Sequence, residues 1–539
     1  MIQLRRQSIL KGAFISAGSK GLARFLRFLL LIVIAHKFGT GAETDAYFVI
    51  QTLTVLFLTL NDTIFNFSLI PTLTNERIKH GEEEERELAS SAFAYLNLFF
   101  FAVSLFIFMA ADPLARAMAV GLDEQTKQFT SLLIKIIAPI PFLAGLGGVP
   151  AAIFYANRNF VFPSVTFLFY GISSIVAAVL LSDLMGVTCV PMGAAFGVGL
   201  QAVVLIVVLW KAKKLSFSFR YHKRLNDLFL LTAPRIVGRL LVGVTLAVDK
   251  LLATSLAVGS VSCLTLAFRL NQFPIALLIA PLGTSMPHMA ENAAAGNFKE
   301  IRQFVGRIVG LITFMVLPVM VGLLIMRVPV IGMLFERGKF ERAATETTAS
   351  IFFFYNLGIL FMALNIFLIG VFFALRNWRL PLVLSVFDCV TNIVLAWQLR
   401  DRMGLDGIGL AKSLIAVINI AIYLFLLQKK IGVLNWREIL TRSVLRIVAA
   451  CATLGVGVWL VVNLGPSLWG EHRYWITVMV SIVVGIGLYL VSSVVFGVRE
   501  IKEARKLIKK KLSRKNNGNS KNGEKHDKEK EKSVVDEAD

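Results

Sequence analysis

Fourteen apolar runs recur along the chain, near 10–36, 45–72, 88–112, 129–156, 160–182, 187–210, 226–256, 260–289, 303–328, 345–373, 380–399, 407–428, 443–465 and 474–497. A run of about 20 residues makes a helix long enough to cross roughly 30 Å of hydrocarbon. The helix is the one conformation open to such a run there, because lipid offers no water to an unpaired N–H or C=O. Hydrophobic residues make up 56% of the 539, and charged residues 17%. That is too little charge to coat a soluble chain of this length. The expected fold is an all-α polytopic membrane protein of about fourteen transmembrane helices.

Lysine and arginine in the connections orient the spans. KAKKLSFSFRYHKR (211–224) carries six and QKKIGVLNWREILTR (428–442) four, whereas SDLMGVTCVP and LAVGSVS carry none. LFERGKFER (334–342), with three, is the exception on the outer side. The balance puts both termini in the cytoplasm, and the first run, with no small-residue cleavage site, is expected to be retained. The net charge of +22 gathers in cytoplasmic loops and in the C-terminal tail, where it suits anionic headgroups rather than nucleic acid. Beyond about Leu512 the tail holds too few apolar residues to fold. Cys189, Cys263, Cys389 and Cys451 stand singly and without metal-ligand spacing, as small apolar residues would.

The polar segment FYANRNFVFP (154–163) returns as VFFALRNWRLP (371–381), with Phe154, Ala156, Arg158, Asn159 and Pro163 matching Phe372, Ala374, Arg376, Asn377 and Pro381 at an offset of 218. IPTLTNERIKHG (70–81) answers MPHMAENAAAG (286–296), and MGAAFGVGLQAVVLIVVLWKAKK (192–214) answers IGLAKSLIAVINIAIYLFLLQKK (408–430). The chain therefore reads as two copies, 1–217 and 218–433, each with six spans. Two further spans lie in 434–500, and a basic tail in 501–539. An even span number gives both copies the same orientation, related by an axis along the membrane normal. Two parallel six-helix lobes suit a transporter that rocks about a site at their interface. The twin hinges become short cytoplasmic turns in which arginine and asparagine end one helix and proline opens the next.

Charges inside the runs need a reason, since an arginine at mid-span costs about 2.5–3.5 kcal/mol on translocon scales. Lys20, Arg24 and Arg27 share one face of the first run; Arg235, Arg239, Asp249 and Lys250 lie in the seventh, and Arg269 in the eighth. Arginine from both copies facing one cavity would make a phosphate site, because the guanidinium fork binds phosphate bidentately. Arg24, Arg27, Arg239 and Arg269 are the candidate substrate-binding residues, while Lys20, Arg235 and Lys250 fit snorkelling to an interface. Asp388 and Asn392 share a face of the eleventh run. With Asp249 they could bind a coupling cation (Na+) or exchange a proton, or serve as partners of a neighbouring arginine. Asp45 reads as the N-terminal acid of the second run. No P-loop, zinc motif or nucleophile elbow supports an enzyme, and none calls for a cofactor.

FGTGAETDAYFV (38–49), VDKLLATSLAVGSVSCLTLAFRLNQFPIALL (248–278), GTSMPHMAENAAAGN (283–297) and MLFERGKFE (333–341) resemble the MurJ/MviN family of bacterial lipid II flippases, in the MOP exporter superfamily. The resemblance spans nearly all fourteen runs. It implies two six-helix lobes, two extra helices forming a groove for an undecaprenyl tail, and export of a peptidoglycan precursor across the inner membrane. Cell-wall synthesis proteins become candidate partners. The family's cavity arginines fall on Arg24 and Arg269, and the acid after its FG turn on Asp45. A second arginine of the family's first helix falls on Leu30, one turn after Arg27, and the acid before the eighth-helix arginine is Phe268. Two other functions stay in view: flipping of another lipid-linked oligosaccharide, for O-antigen or exopolysaccharide, and cation-coupled drug export. Drug export would call for an acidic cavity, whereas the candidates here are mainly basic. The topology predicts that a single cysteine placed in 211–224 reacts with a membrane-impermeant thiol reagent only after the cytoplasmic side is opened; labelling in intact cells would overturn it.

Overall fold

The computed structural model describes residues 9–212, 214–215, 218–279, 286–377, 379–433, 444–470 and 473–501. Among the described residues there are helices and connections but no strand. Each predicted run falls on a helix: α1 Ile9–Phe38, α2 Ala42–His80, α3 Glu82–Met109, α4 Glu124–Ala156, α5 Val161–Leu180, α6 Ser182–Lys211, α7 Arg224–Thr254, α8 Ser260–Ile279, α9 Phe298–Ile325, α10 Arg342–Ala374, α11 Arg379–Met403, α12 Leu405–Ile431, α13 Leu445–Trp469 and α14 Tyr474–Val495. Ten of these are long and apolar enough to cross a membrane unaided, and the bent α10 makes eleven. The residues beyond Leu512, read above as unfolded, lie outside the described residues, as do Met1–Ser8.

The helices are less regular than the runs suggest. α2 holds a π-helical turn at Phe65–Leu69, directly before Pro71. A proline leaves one carbonyl without its i−4 partner, and a π turn is a common way to absorb the misfit. α4 breaks between Ile137 and Ile140, at Pro139. α10 bends by 47° between Asn356 and Ile359, the same place one repeat later. Short helices Ala111–Met118 and Arg327–Phe335 follow α3 and α9 and also correspond. All four cysteines are free and buried, as small apolar residues.

The chain forms two compact units, each discontinuous in sequence. The first holds residues 1–273, 327–365 and 376–422. Its core includes a cluster around Leu69, Leu73, Leu88, Phe154 and Leu205, all within 1% of complete burial. The second holds 274–326, 366–375 and 423–539. There α13 and α14 pack on each other and on α9, and the Tyr489 hydroxyl donates to the Phe314 carbonyl at 2.7 Å.

Both hinges carry an arginine in the left-handed region. Among the described residues, Arg158 (φ 57°) and Arg376 (φ 54°) are the two non-glycine residues at positive φ. At the first hinge, Asn159 N donates back to the Phe154 carbonyl at 2.9 Å, ending α4. A lysine from the end of α6 or α12 reaches each hinge: Lys214 Nζ to Asn157 Oδ1 at 3.0 Å, and Lys430 Nζ to the Leu375 carbonyl at 3.4 Å. Pro163 and Pro381 are each the third residue of the next helix, where a missing N–H leaves no bond unmade. The left-handed backbone costs a non-glycine residue about 1–2 kcal/mol. Arg158→Gly and Arg376→Gly are therefore expected to hold or raise the thermal unfolding midpoint of the purified protein. Arg158→Val and Arg376→Val should lower it, each costing about 1–2 kcal/mol of stability; equal behaviour of the glycine and valine variants would contradict the strain.

Candidate functional site

The basic residues singled out from sequence gather in the first compact unit. Arg27 on α1 and Arg269 on α8 lie within Coulomb range of each other and of the Tyr170 hydroxyl, and Tyr47 also faces Arg269. Arg24 lies within range of Arg27, one turn away. Asp62 on α2 is reached by Lys20, Arg27 and Arg239, and its Oδ1 accepts from Asn66 Nδ2 at 2.9 Å. Arg24, Arg27, Arg239 and Asp62 keep accessible side chains, and Arg269 is half-buried. Among the described residues, five cations (Lys20, Arg24, Arg27, Arg239, Arg269) against one carboxylate leave four positive charges in excess. Like charges in one place repel, so among the described residues the balance of the cluster favours an added anion.

Arg269 is held by a polar relay. Its Nη2 donates to Gln51 Oε1 at 3.4 Å, and Gln51 Nε2 donates to the Tyr47 hydroxyl at 3.2 Å. Gln51 and Arg269 are 218 residues apart, the offset of the hinge repeat, so α2 and α8 meet here at corresponding positions. Position 30, where an arginine was expected by resemblance, is a core leucine 3% exposed. Phe268 packs its ring against Tyr355 at 5.6 Å between centroids. Arg235, one turn before Arg239 on α7, has its guanidinium over the Phe67 ring at 5.4 Å. Lys250 is no snorkelling residue: its ammonium turns inward and donates to the Phe48 carbonyl. Sequence reasoning did not assign Gln51, Tyr47 or Tyr170 to this site; aromatic and amide residues inside apolar runs give little signal until a charged neighbour is placed beside them.

The proposed cation ligands separate. Asn392 Nδ2 donates to Asp249 Oδ1 at 2.8 Å, so these two meet across α7 and α11. Asp388 does not join them and instead accepts from Asn419 Nδ2 on α12 at 2.6 Å. Asp249 has a second partner that the sequence reading passed over, Lys412 on α12, whose Nζ lies 2.9 Å from Oδ2. Its signal was available, since a lysine inside an apolar run is itself an anomaly. Elsewhere, Glu76, Glu84 and His222 approach one another, but Glu76 is already paired with His80 at 3.0 Å and Arg224 at 3.5 Å.

Asp45 sits in the first turn of α2 as expected, yet its carboxylate serves another helix. It accepts from Gly259 N at 2.7 Å, Ser262 N at 2.8 Å and Ser262 Oγ at 2.5 Å, closing the N-terminus of α8. The first N–H groups of a helix have no intrahelical acceptor, and a carboxylate there meets both the orphan donors and the positive end of the dipole. Gly259 is at φ 89°, and a Cβ would lie 2.9 Å from the Thr40 carbonyl, so glycine is required beside this cap. The cap fixes the helix that carries Arg269. Asp45→Ala strands two buried N–H groups and should lower stability by about 2–4 kcal/mol. Asp45→Asn, which keeps one acceptor, should lose roughly half of that. Thermal unfolding of the purified variants checks the order, and an Asp45→Ala midpoint equal to the wild type would contradict it.

The family model described as "Lipid II flippase MurJ" matches residues 34–480. A probable lipid II flippase MurJ of Rhizobium meliloti is 25% identical over 82% of this chain and 84% of its own length. One from Thermotoga maritima is 24% identical over 88% and 93%. Among solved structures, a lipid II flippase MurJ in an inward closed conformation superposes with a TM-score of 0.77 at 21% identity, covering 90% of this chain and 98% of its own. An inward-facing multidrug resistance MATE transporter of the MOP superfamily gives 0.67 at 13% identity, over 76% and 94%. The two structures speak for the fold, while the family match covers most of the chain, including α2, α7 and α8; Lys20, Arg24 and Arg27 on α1 precede the matched residues. This multi-pass membrane protein belongs to the MurJ family of lipid II flippases.

Proposed function

We propose that the protein carries lipid II, a peptidoglycan precursor linked to undecaprenyl diphosphate, from the cytoplasmic to the outer leaflet of the inner membrane. It acts as a transporter and not as an enzyme. The observation that carries this reading is the cationic cluster, in which Arg24, Arg27 and Lys20 of the first sequence copy stand with Arg239 and Arg269 of the second. A diphosphate is the part of the substrate that such a cluster recognises, through charge-assisted bonds that neutral sugars and peptides do not make. A cationic drug would be repelled by the same charges, which sets export of that class aside.

The two copies, 1–217 and 218–433, act as lobes that rock about the cluster. A diphosphate held from both copies stabilises one arrangement over the other, and that differential affinity is what a ligand needs to move a two-state equilibrium. Both termini and the 211–224 connection face the cytoplasm. α13 and α14, outside the repeat, supply apolar surface for the polyprenyl tail, and cell-wall synthesis proteins that make or consume the precursor are the natural partners.

The test is replacement of the resident flippase in cells, with lipid II in the outer leaflet read by its accessibility to an external hydrolase. The wild-type chain should restore accessibility. Arg27→Ala and Arg269→Ala, at equal expression, should lower it about ten- to hundred-fold, the equivalent of about 1.5–3 kcal/mol for one lost bond to phosphate. Lysine at either position should recover part of the loss, since it keeps the charge without the fork. Full activity of both alanine variants, or restoration of another lipid-linked sugar in place of lipid II, would overturn the reading.

A further inference from the structure

Asp249, Asn392 and Lys412 come from α7, α11 and α12 and meet deep in the first compact unit. Asp249 is 4% exposed, Asn392 fully buried, and the Lys412 side chain 14% exposed. Both carboxylate oxygens are engaged, Oδ1 by Asn392 Nδ2 at 2.8 Å and Oδ2 by Lys412 Nζ at 2.9 Å. Asn392 Oδ1 is buried and has no hydrogen-bond partner. The place thus holds a carboxylate, with a spare amide oxygen on the residue that donates to it, and oxygen donors of this kind suit a hard monovalent cation. The cation found there is the chain's own ammonium.

We infer that Lys412 is a tethered counter-cation, which fills the Asp249–Asn392 site and leaves the protein without need of a bound inorganic cation. Charge balance supports this. Asp249 and Lys412 cancel, so an added Na+ would bring an uncompensated charge into a buried position that also lies within Coulomb range of Lys250. Burying an unpaired ion is far costlier than burying a paired one. The tether also removes the entropic cost of capturing a free ion, and it ties α12 to α7 and α11 at all salt concentrations. The consequence for transport, a cycle that runs without Na+, rests on the flippase reading; the test of the site does not.

The test is thermal unfolding of the full-length purified protein, with Na+ exchanged for the bulky choline cation at constant ionic strength. The wild type should unfold at the same temperature in both. Lys412→Ala should unfold several degrees lower in choline and regain part of that in Na+, because Na+ can enter the vacated space beside Asp249. Lys412→Ala combined with Asp249→Asn should again be indifferent to Na+, and Lys412→Arg should keep the wild-type indifference. Stabilisation of the wild type by Na+ would overturn the assignment. So would a Lys412→Ala variant that Na+ does not help, including one that cannot be recovered in Na+-containing buffer.

Discussion

The absence of water from hydrocarbon governs the rest of the structure. Backbone groups that find no partner in the chain find none elsewhere, so the spans are helices, and each departure from helix must be repaired locally. The repairs are visible at the π turn before Pro71, at the Pro139 break in α4 and at the α8 N-terminus, where Asp45 accepts from Gly259 and Ser262. The same cost applies to side chains. Asp249 is held by a lysine and an amide, Asp388 by an amide, and Lys250 by a backbone carbonyl. Against that background the accessible arginines of α1 and α7 differ in kind. They carry more positive charge than the one neighbouring carboxylate cancels, which is the condition for binding an anion rather than for stabilising a fold.

The repeat read from the sequence is the second organising feature. The hinge arginines at φ 57° and 54°, the lysines that reach the two hinges, and the breaks in α4 and α10 recur at sequence offsets of 218, 216 and 219. Gln51 and Arg269, also 218 apart, touch each other. Contact between corresponding residues is expected where two copies meet on a pseudo-twofold axis. The substitution of arginine for glutamine at that place breaks the symmetry with a charge. An anion bound beside Arg269 would therefore lie next to a contact between the two sequence copies.

How much of this was legible in the sequence depended on whether the signal was local. The fourteen runs could be read because each is a property of about 20 consecutive residues. The twin hinge could be read because both copies kept their arginine, asparagine and proline. Arg27 and Arg269 could be nominated, since charges in apolar runs are rare enough to stand out. Capping of α8 by Asp45 could not be read, because its donors lie more than 200 residues away. The expected trio of Asp249, Asp388 and Asn392 failed at Asp388 because helical spacing fixes which residues share a face, while the neighbouring helix decides which partner each one meets. Asn419 pairs with Asp388, and Lys412 pairs with Asp249.

The central claim is that one diphosphate is held jointly by arginines from both sequence copies. It is tested most directly by a double-mutant cycle on lipid II affinity, measured with the purified protein in nanodiscs for wild type, Arg27→Ala, Arg269→Ala and the double variant. Shared contact with one group predicts that the double variant loses less than the sum of the single losses, by about 0.5–3 kcal/mol. Losses that simply add, or affinities equal to the wild type in both single variants, would show that the two arginines do not hold the same anion.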